Sequence, residues 1–216
     1  VGCMATSAGH TSDREIYQAS SNGNASIMMM LDNSISMGHS TGYDSIKDDY
    51  GIEATRSWVS TGWLSGYWCD NTKEEDIPQR LYNDQGVDVG QVSYQVYYRT
   101  KNGQPYYDRM SRLKMALIPL LANPKSAQGF GADVELTKYK IGLGSFLGSG
   151  GKIDAQVTDL TLANRRVLIN KIIDLEPTTT TPIANAYAEA GAYMLGTKTN
   201  ASNSPYTSPM PNDPAQ

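Results

Sequence analysis

Ala25-Ser26-Ile27-Met28-Met29-Met30-Leu31-Asp32-Asn33-Ser34-Ile35-Ser36-Met37 is the stretch whose reading decides the fold. An uninterrupted apolar run, Ile27 to Leu31, stops at Asp32, and Ser34 and Ser36 follow at alternate positions. A short run that is apolar at every position predicts a strand buried on both faces, as in a parallel sheet. In such sheets ligands bind beyond the carboxyl ends of the strands, where Asp32 would stand with two hydroxyls beside it. One carboxylate and two hydroxyls are hard oxygen donors, which suits Mg²⁺ or Mn²⁺ and gives soft metals little to hold. Taken alone, the pentapeptide also reads as a plain Asp/Asn/Ser turn.

A second stretch, Thr178-Thr179-Thr180-Thr181-Pro182-Ile183-Ala184-Asn185-Ala186-Tyr187-Ala188-Glu189-Ala190-Gly191, lies far downstream. Pro182 suits the first position of a helix and Thr181 its N-cap. Ile183, Tyr187, Ala190 and Met194 form an apolar stripe at helical spacing, and Gly196 can close the helix in a left-handed conformation. A capped amphipathic helix without any site would account for this pattern equally well.

Between the two stretches, Arg109 to Ala122 predicts a helix with Met110, Leu113, Leu117 and Leu120–Leu121 on one face. Pro119 inside it removes a donor and predicts a kink near Met115. Tyr139 to Gly144 reads as a strand, and Gly148-Ser149-Gly150-Gly151 as a turn. Ile153, Ala155 and Val157 alternate with polar residues, as a half-exposed antiparallel strand does. Thr161 to Leu175 brings Leu168, Ile172 and Leu175 onto one face of another helix.

Asp32-Asn33-Ser34-Ile35-Ser36 has the form D-x-S-x-S and resembles the metal-ion-dependent adhesion site of von Willebrand factor A domains. The Thr-Pro-Ile-Ala…Glu-Ala-Gly string and Asp159-Leu160-Thr161-Leu162-Ala163-Asn164-Arg165 are similar to one subgroup, the PilC/PilY-type adhesins of type IV pilus tips. The resemblance covers residues 17–38 and 109–196. It implies an α/β, Rossmann-like A domain, here incomplete, with a long aromatic-rich insertion. It also implies a divalent cation, Mg²⁺ or Mn²⁺, held by Asp32, Ser34, Ser36 and Thr181, weakly or not at all in this portion alone. The implied function is adhesion and pilus biogenesis, extracellular and at the cell surface, with a surface or host receptor and minor pilins as partners. A non-adhesive assembly module, docking minor pilins or other parts of its own chain, is the alternative. A domains continue with further strands and another metal-shell aspartate, whereas Thr197 to Gln216 is rich in Ser, Thr, Asn and Pro without apolar periodicity. The expectation is therefore an N-terminal arm over 1–24, an A-like region over 25–196 interrupted by an insertion at 39–108, and a tail or linker over 197–216. The remainder of a longer chain would complete the sheet.

The insertion holds all 3 tryptophans, Trp58, Trp63 and Trp68, and most of the 14 tyrosines. Ser93 to Arg99, then Lys101-Asn102-Gly103-Gln104 and Pro105-Tyr106-Tyr107, reads as a hairpin around Asn-Gly. Acidic residues Asp44, Asp48, Asp49, Asp70, Glu74, Glu75 and Asp76 accompany it. The aromatics are either a recognition surface grafted on the A domain, which would tolerate their removal, or buried packing. Burial is expected for most of the tryptophans and contact for the hairpin tyrosines.

Composition sets the outer bounds. A length of 216 residues allows one core plus a large insertion. The net charge of −4 and the lack of a Lys/Arg cluster argue against nucleic acid. No apolar stretch approaches the roughly 20 residues that span a bilayer, so the chain is not expected to be membrane-embedded. Val1-Gly2-Cys3 lacks signal-peptide shape, as a mature form would. Cys3 and Cys69 form one possible pair or remain two free thiols. His10 and His39 do not make a zinc site with that supply unless distant segments converge. No G-x-S-x-G elbow, H-E-x-x-H, P-loop or glycine fingerprint is present; Gly142-x-Gly144 and Gly148-Ser149-Gly150-Gly151 read as turn glycines, and no enzyme is expected.

Overall fold

The computed structural model describes residues 25–38, 57–62, 65–69, 72–123, 138–199, 202 and 205–209. The arm over 1–24, Cys3, His10, His39, Trp63 and most of the acidic cluster lie outside these residues, and so does any Cys3–Cys69 bridge.

The elements in chain order are β1 (Ser26–Leu31), a 3₁₀ turn (Ile35–Met37), β2 (Ser57–Gly62), β3 (Ser65–Cys69), β4 (Lys73–Tyr82), β5 (Asp88–Lys101), β6 (Gln104–Tyr107) and α1 (Arg109–Ala122). Then come β7 (Lys140–Leu147), β8 (Gly150–Asp159), α2 (Leu162–Ile173) and α3 (Ile183–Leu195). The chain is thus a mixed α/β protein. β1 pairs in parallel with β7, Ser26 opposite Lys140 through Leu31 opposite Ser145. β8 returns antiparallel on the far side of β7, giving the order β1-β7-β8. Separate antiparallel pairings join β2 to β3, with Trp58 opposite Trp68, and β4 to β5 to β6.

Local chemistry explains several of these elements. Asn102 (φ 52°) and Gly103 (φ 77°) both adopt positive φ in the turn joining β5 and β6, as a two-residue hairpin loop requires. Asp108 caps α1 by accepting from the Ser111 N–H at 2.6 Å, and Thr161 caps α2 through the Asn164 N–H. Gly196 closes α3 at φ 67°.

Other expectations are corrected. β1 is not buried on both faces: Ile27 is 38% exposed, and Leu31 is the one buried residue of the strand. The reason is that, among the described residues, β1 has a strand neighbour on one edge alone. α1 keeps the expected span, Arg109–Ala122, with Pro119 inside it near the last turn. The buried face of α1 carries Met110, Ser111, Lys114, Ile118, Leu121 and Ala122, while Leu113, Leu117 and Leu120 are only half-buried. Gly142 and Gly144 lie inside β7 rather than in a turn. A Cβ on Gly144 would stand 2.4 Å from Met30 Sδ and 2.6 Å from the Lys152 carbonyl, so glycine lets both neighbouring strands approach.

The core joins the three-stranded β4-β5-β6 meander to the helices. Leu81, Tyr94 and Val96 share one buried cluster with Met110, Ile118, Leu121, Ile169 and Ile172, and Leu31 and Leu143 extend it to the β1-β7 sheet. Arg165, fully buried, crosses the same boundary. It donates to the Leu121 carbonyl at 2.9 Å and to the Tyr82 carbonyl at 2.9 Å, and pairs with Asp84 at 3.0 Å. The meander is therefore packing for the helices. Of its tyrosines, Tyr94 is buried, Tyr97, Tyr98 and Tyr107 are half-buried, and Tyr106 is exposed.

Candidate functional site

Asp32 follows β1 directly, and its Oδ1 accepts the Ser34 N–H at 2.8 Å. This is an Asx turn, which ties the carboxylate to the backbone of the serine segment. The two serine hydroxyls lie 3.1 Å apart. A Mg²⁺–oxygen distance of 2.0–2.1 Å places neighbouring ligands of an octahedron about 2.9 Å from each other. The serine pair therefore has nearly the spacing of one octahedral edge, and the donor set is the hard-oxygen type such an ion prefers. Among the described residues no three His, Cys, Asp or Glu side chains gather. Asp32 is the one carboxylate that the turn itself supplies, a weak shell by itself.

The threonine loop docks onto this turn. Ile35 N–H donates to the Thr179 carbonyl at 2.9 Å, and Thr178 N–H donates to the Asn33 carbonyl at 3.1 Å. Ser34 and Thr179 form an isolated parallel bridge. Two segments that the sequence separates widely thus meet at the carboxyl end of β1. The four threonines differ in what their hydroxyls do. Those of Thr178, Thr179 and Thr180 donate to the carbonyls of Glu176, Thr180 and Gly148. Thr181 is exposed, and its hydroxyl has no hydrogen-bond partner among the described residues. It is the hydroxyl of the run left open to a ligand.

Thr181 is not the N-cap of α3, as the Pro-first pattern predicts. Pro182 occupies that position and supplies no side-chain bond, and the helix starts one residue later at Ile183. The predicted stripe also fails at its start, because Ile183 is 64% and Tyr187 78% exposed. α3 buries Ala186, Glu189, Ala190, Ala192 and Tyr193 instead. The Tyr193 hydroxyl accepts the Val157 N–H of β8 at 2.8 Å. Glu189 accepts hydroxyl hydrogen bonds from Thr199 and Tyr206, so a buried carboxylate is satisfied by residues beyond the helix. Those residues fold back on α3: Thr197 N–H reaches the Ala192 carbonyl at 2.8 Å, and Ser208 Oγ the Met194 carbonyl at 2.6 Å.

Three positioning contacts are absent from the sequence reading. Asn33 is buried, and its Oδ1 accepts the Phe146 N–H of β7 at 2.9 Å while its own carbonyl holds the threonine loop. Arg109 Nη1 reaches the Ser36 carbonyl at 3.2 Å, tying the start of α1 to the serine turn. Gly38 leaves room for Pro177, whose Cγ would lie 2.0 Å from a Cβ there. A glycine ending an Asp-Ser turn and a proline preceding a threonine run are faint sequence signals of this contact.

Comparison with protein-family models finds no match, and no curated protein and no solved structure matches the chain. No helix among the described residues is long and apolar enough to cross a membrane.

Proposed function

We propose that this chain carries a von Willebrand factor A-like module that works by binding, not turnover, in adhesion at the tip of a type IV pilus. The observation that carries the reading is the junction of the Asp32-Ser34-Ser36 turn with the threonine loop through Ile35, Ser34 and Thr179. The parallel β1-β7 pair with an antiparallel β8 is consistent with it. In this reading Ser34 and Ser36 ligate a divalent cation directly, and Asp32 and Thr181 do so directly or through water. With one carboxylate in the shell the cation keeps most of its charge, and a carboxylate from a surface or host ligand can occupy an open position.

The assembly alternative has an observation of its own. Ile35, Leu147, Ile183 and Tyr187 are large, apolar and exposed on the turn, the β7-β8 hairpin and the start of α3. Exposed apolar side chains of this kind suit docking onto a pilin or onto other parts of the same chain.

Two measurements test these readings. Calorimetric Mg²⁺ titration of the complete parent protein should give binding that Asp32→Ala abolishes, with an unchanged circular dichroism spectrum. Equal affinity in that variant would falsify the metal assignment. Bacteria carrying Asp32→Ala should keep their pili and lose surface attachment if the site is adhesive. Loss of pili would establish assembly as its role instead.

A further inference from the structure

A cleft of about 470 Å³ opens between the β4-β5-β6 meander, α1 and the segment that follows α2. It is separate from the serine turn, though Pro177 and Thr178 form one of its walls. Its volume falls within the range of small-molecule sites.

Lys114 is the residue that makes this cleft chemical. It occupies the buried face of α1, in line with Met110, Ile118 and Leu121, where helical periodicity calls for an apolar side chain. It is only 8% exposed, and its Nζ donates to the Ile173 carbonyl at 2.8 Å. An ammonium carries three N–H donors, and this one has a single acceptor among the described residues. Capping the end of α2 uses one donor, and the other two have no acceptor among the described residues of the cleft that Lys114 lines. Buried donors of this kind call for an acceptor, best a charged one.

The rest of the lining sets what else the ligand carries. Met110, Ile173 and Leu175 give apolar wall, and Asp76 and Glu176, both exposed, bring negative charge to the opening. Asp108 also lines the cleft, committed to the N-terminus of α1. A simple carboxylate would meet repulsion from Asp76 and Glu176, and a simple amine would meet Lys114. A molecule with both groups answers both charges.

We infer that this cleft binds a small zwitterion with an apolar side chain, an amino acid or short peptide whose carboxylate meets Lys114 and whose ammonium faces Asp76 and Glu176. The burial that depresses the ionisation of Lys114 is opposed by the carboxylates of Glu176, Asp108 and Asp174, and a bound carboxylate would add to them.

The inference is independent of the metal reading, so its test is run with EDTA present. The chain is titrated calorimetrically with L-leucine and with leucyl-leucine, and in parallel with isovalerate and isoamylamine, which each lack one charge. One of the zwitterions should bind about tenfold tighter than either single-charge analogue, a difference of about 1.4 kcal/mol. Whichever of the two binds tells a free amino acid from a peptide. Glu176→Gln, at an exposed position, should weaken the zwitterion about tenfold and leave the fold intact. Lys114→Met should remove carboxylate-dependent binding; if it does not fold, Glu176→Gln and the analogue pair decide. Isoamylamine binding as tightly as the zwitterions, or no saturable binding by any of the four, overturns the inference.

Discussion

Asn33 shows how one side chain can hold a site together without belonging to its chemistry. Its amide oxygen satisfies a buried N–H of β7, at Phe146, and its backbone oxygen receives the threonine loop. Asn33→Ala leaves the Phe146 N–H buried and unpaired, an omission that costs about 1–3 kcal/mol. Urea unfolding should report a loss of that size, and Mg²⁺ binding should weaken with it as the turn loses its anchor. A variant as stable as the parent would mean that water replaces the amide. Asp32, Ser34 and Ser36 were legible in the sequence because their arrangement is local, set by an Asx turn across two residues. The role of Asn33 was not, since its partner is 113 positions away and nothing in the neighbouring residues announces Phe146.

At the scale of elements, legibility follows the same division between local and distant causes. The Asn102-Gly103 hairpin and the span of α1 were readable because turn chemistry and caps act over a few residues. The buried faces of α1 and α3 were misread where a polar residue finds a remote partner: Lys114 at the Ile173 carbonyl, Glu189 at Thr199 and Tyr206. The α3 latch has a pH signature. Burial, then the hydrogen bond and charge of Glu189, push the Tyr206 phenol up from 10.0 to about 12. A group whose folded value is raised contributes its full stability below pH 10.0 and loses it as pH climbs toward about 12. Unfolding measured across that window should show a decline in the parent that is smaller in Tyr206→Phe. Phenolate absorbance should show one late-titrating tyrosine missing from the variant.

For the whole molecule, the question is whether the meander is an accessory. The resemblance to A domains implies that it is an insertion, because that template leaves the segment unexplained. It cannot show that Leu81, Tyr94 and Val96 lie in one cluster with Leu121 and Ile169, since tertiary packing of distant segments leaves no periodic trace. Replacing residues 73–107 by a short linker changes closure entropy by little, about 0.6 kcal/mol per doubling of loop length. It also uncovers one side of α1 and strips Arg165 of the Tyr82 carbonyl and Asp84. The expected outcome is loss of the cooperative thermal transition. A shortened chain that still melts sharply would show that α1 and α2 find other cover.

The pairing of β1 with β7 has a kinetic consequence. Ser26 meets Lys140 only after the chain between them has been gathered in, whereas β4, β5 and β6 join through short turns. Contacts that close large loops form late in folding and, on a strand with one described neighbour, open early. β1 should therefore detach in excursions that leave the meander intact, carrying Asp32 out of place each time. Native-state hydrogen exchange would reveal this as faster exchange at Met28–Met30 than at Tyr94–Val96, and a bound cation would slow the first set selectively. Equal protection in both places would mean that the molecule opens only as a unit. If the excursions occur, they offer a ligand-sensitive gate on the serine turn that needs no hinge, only the fraying of a single strand.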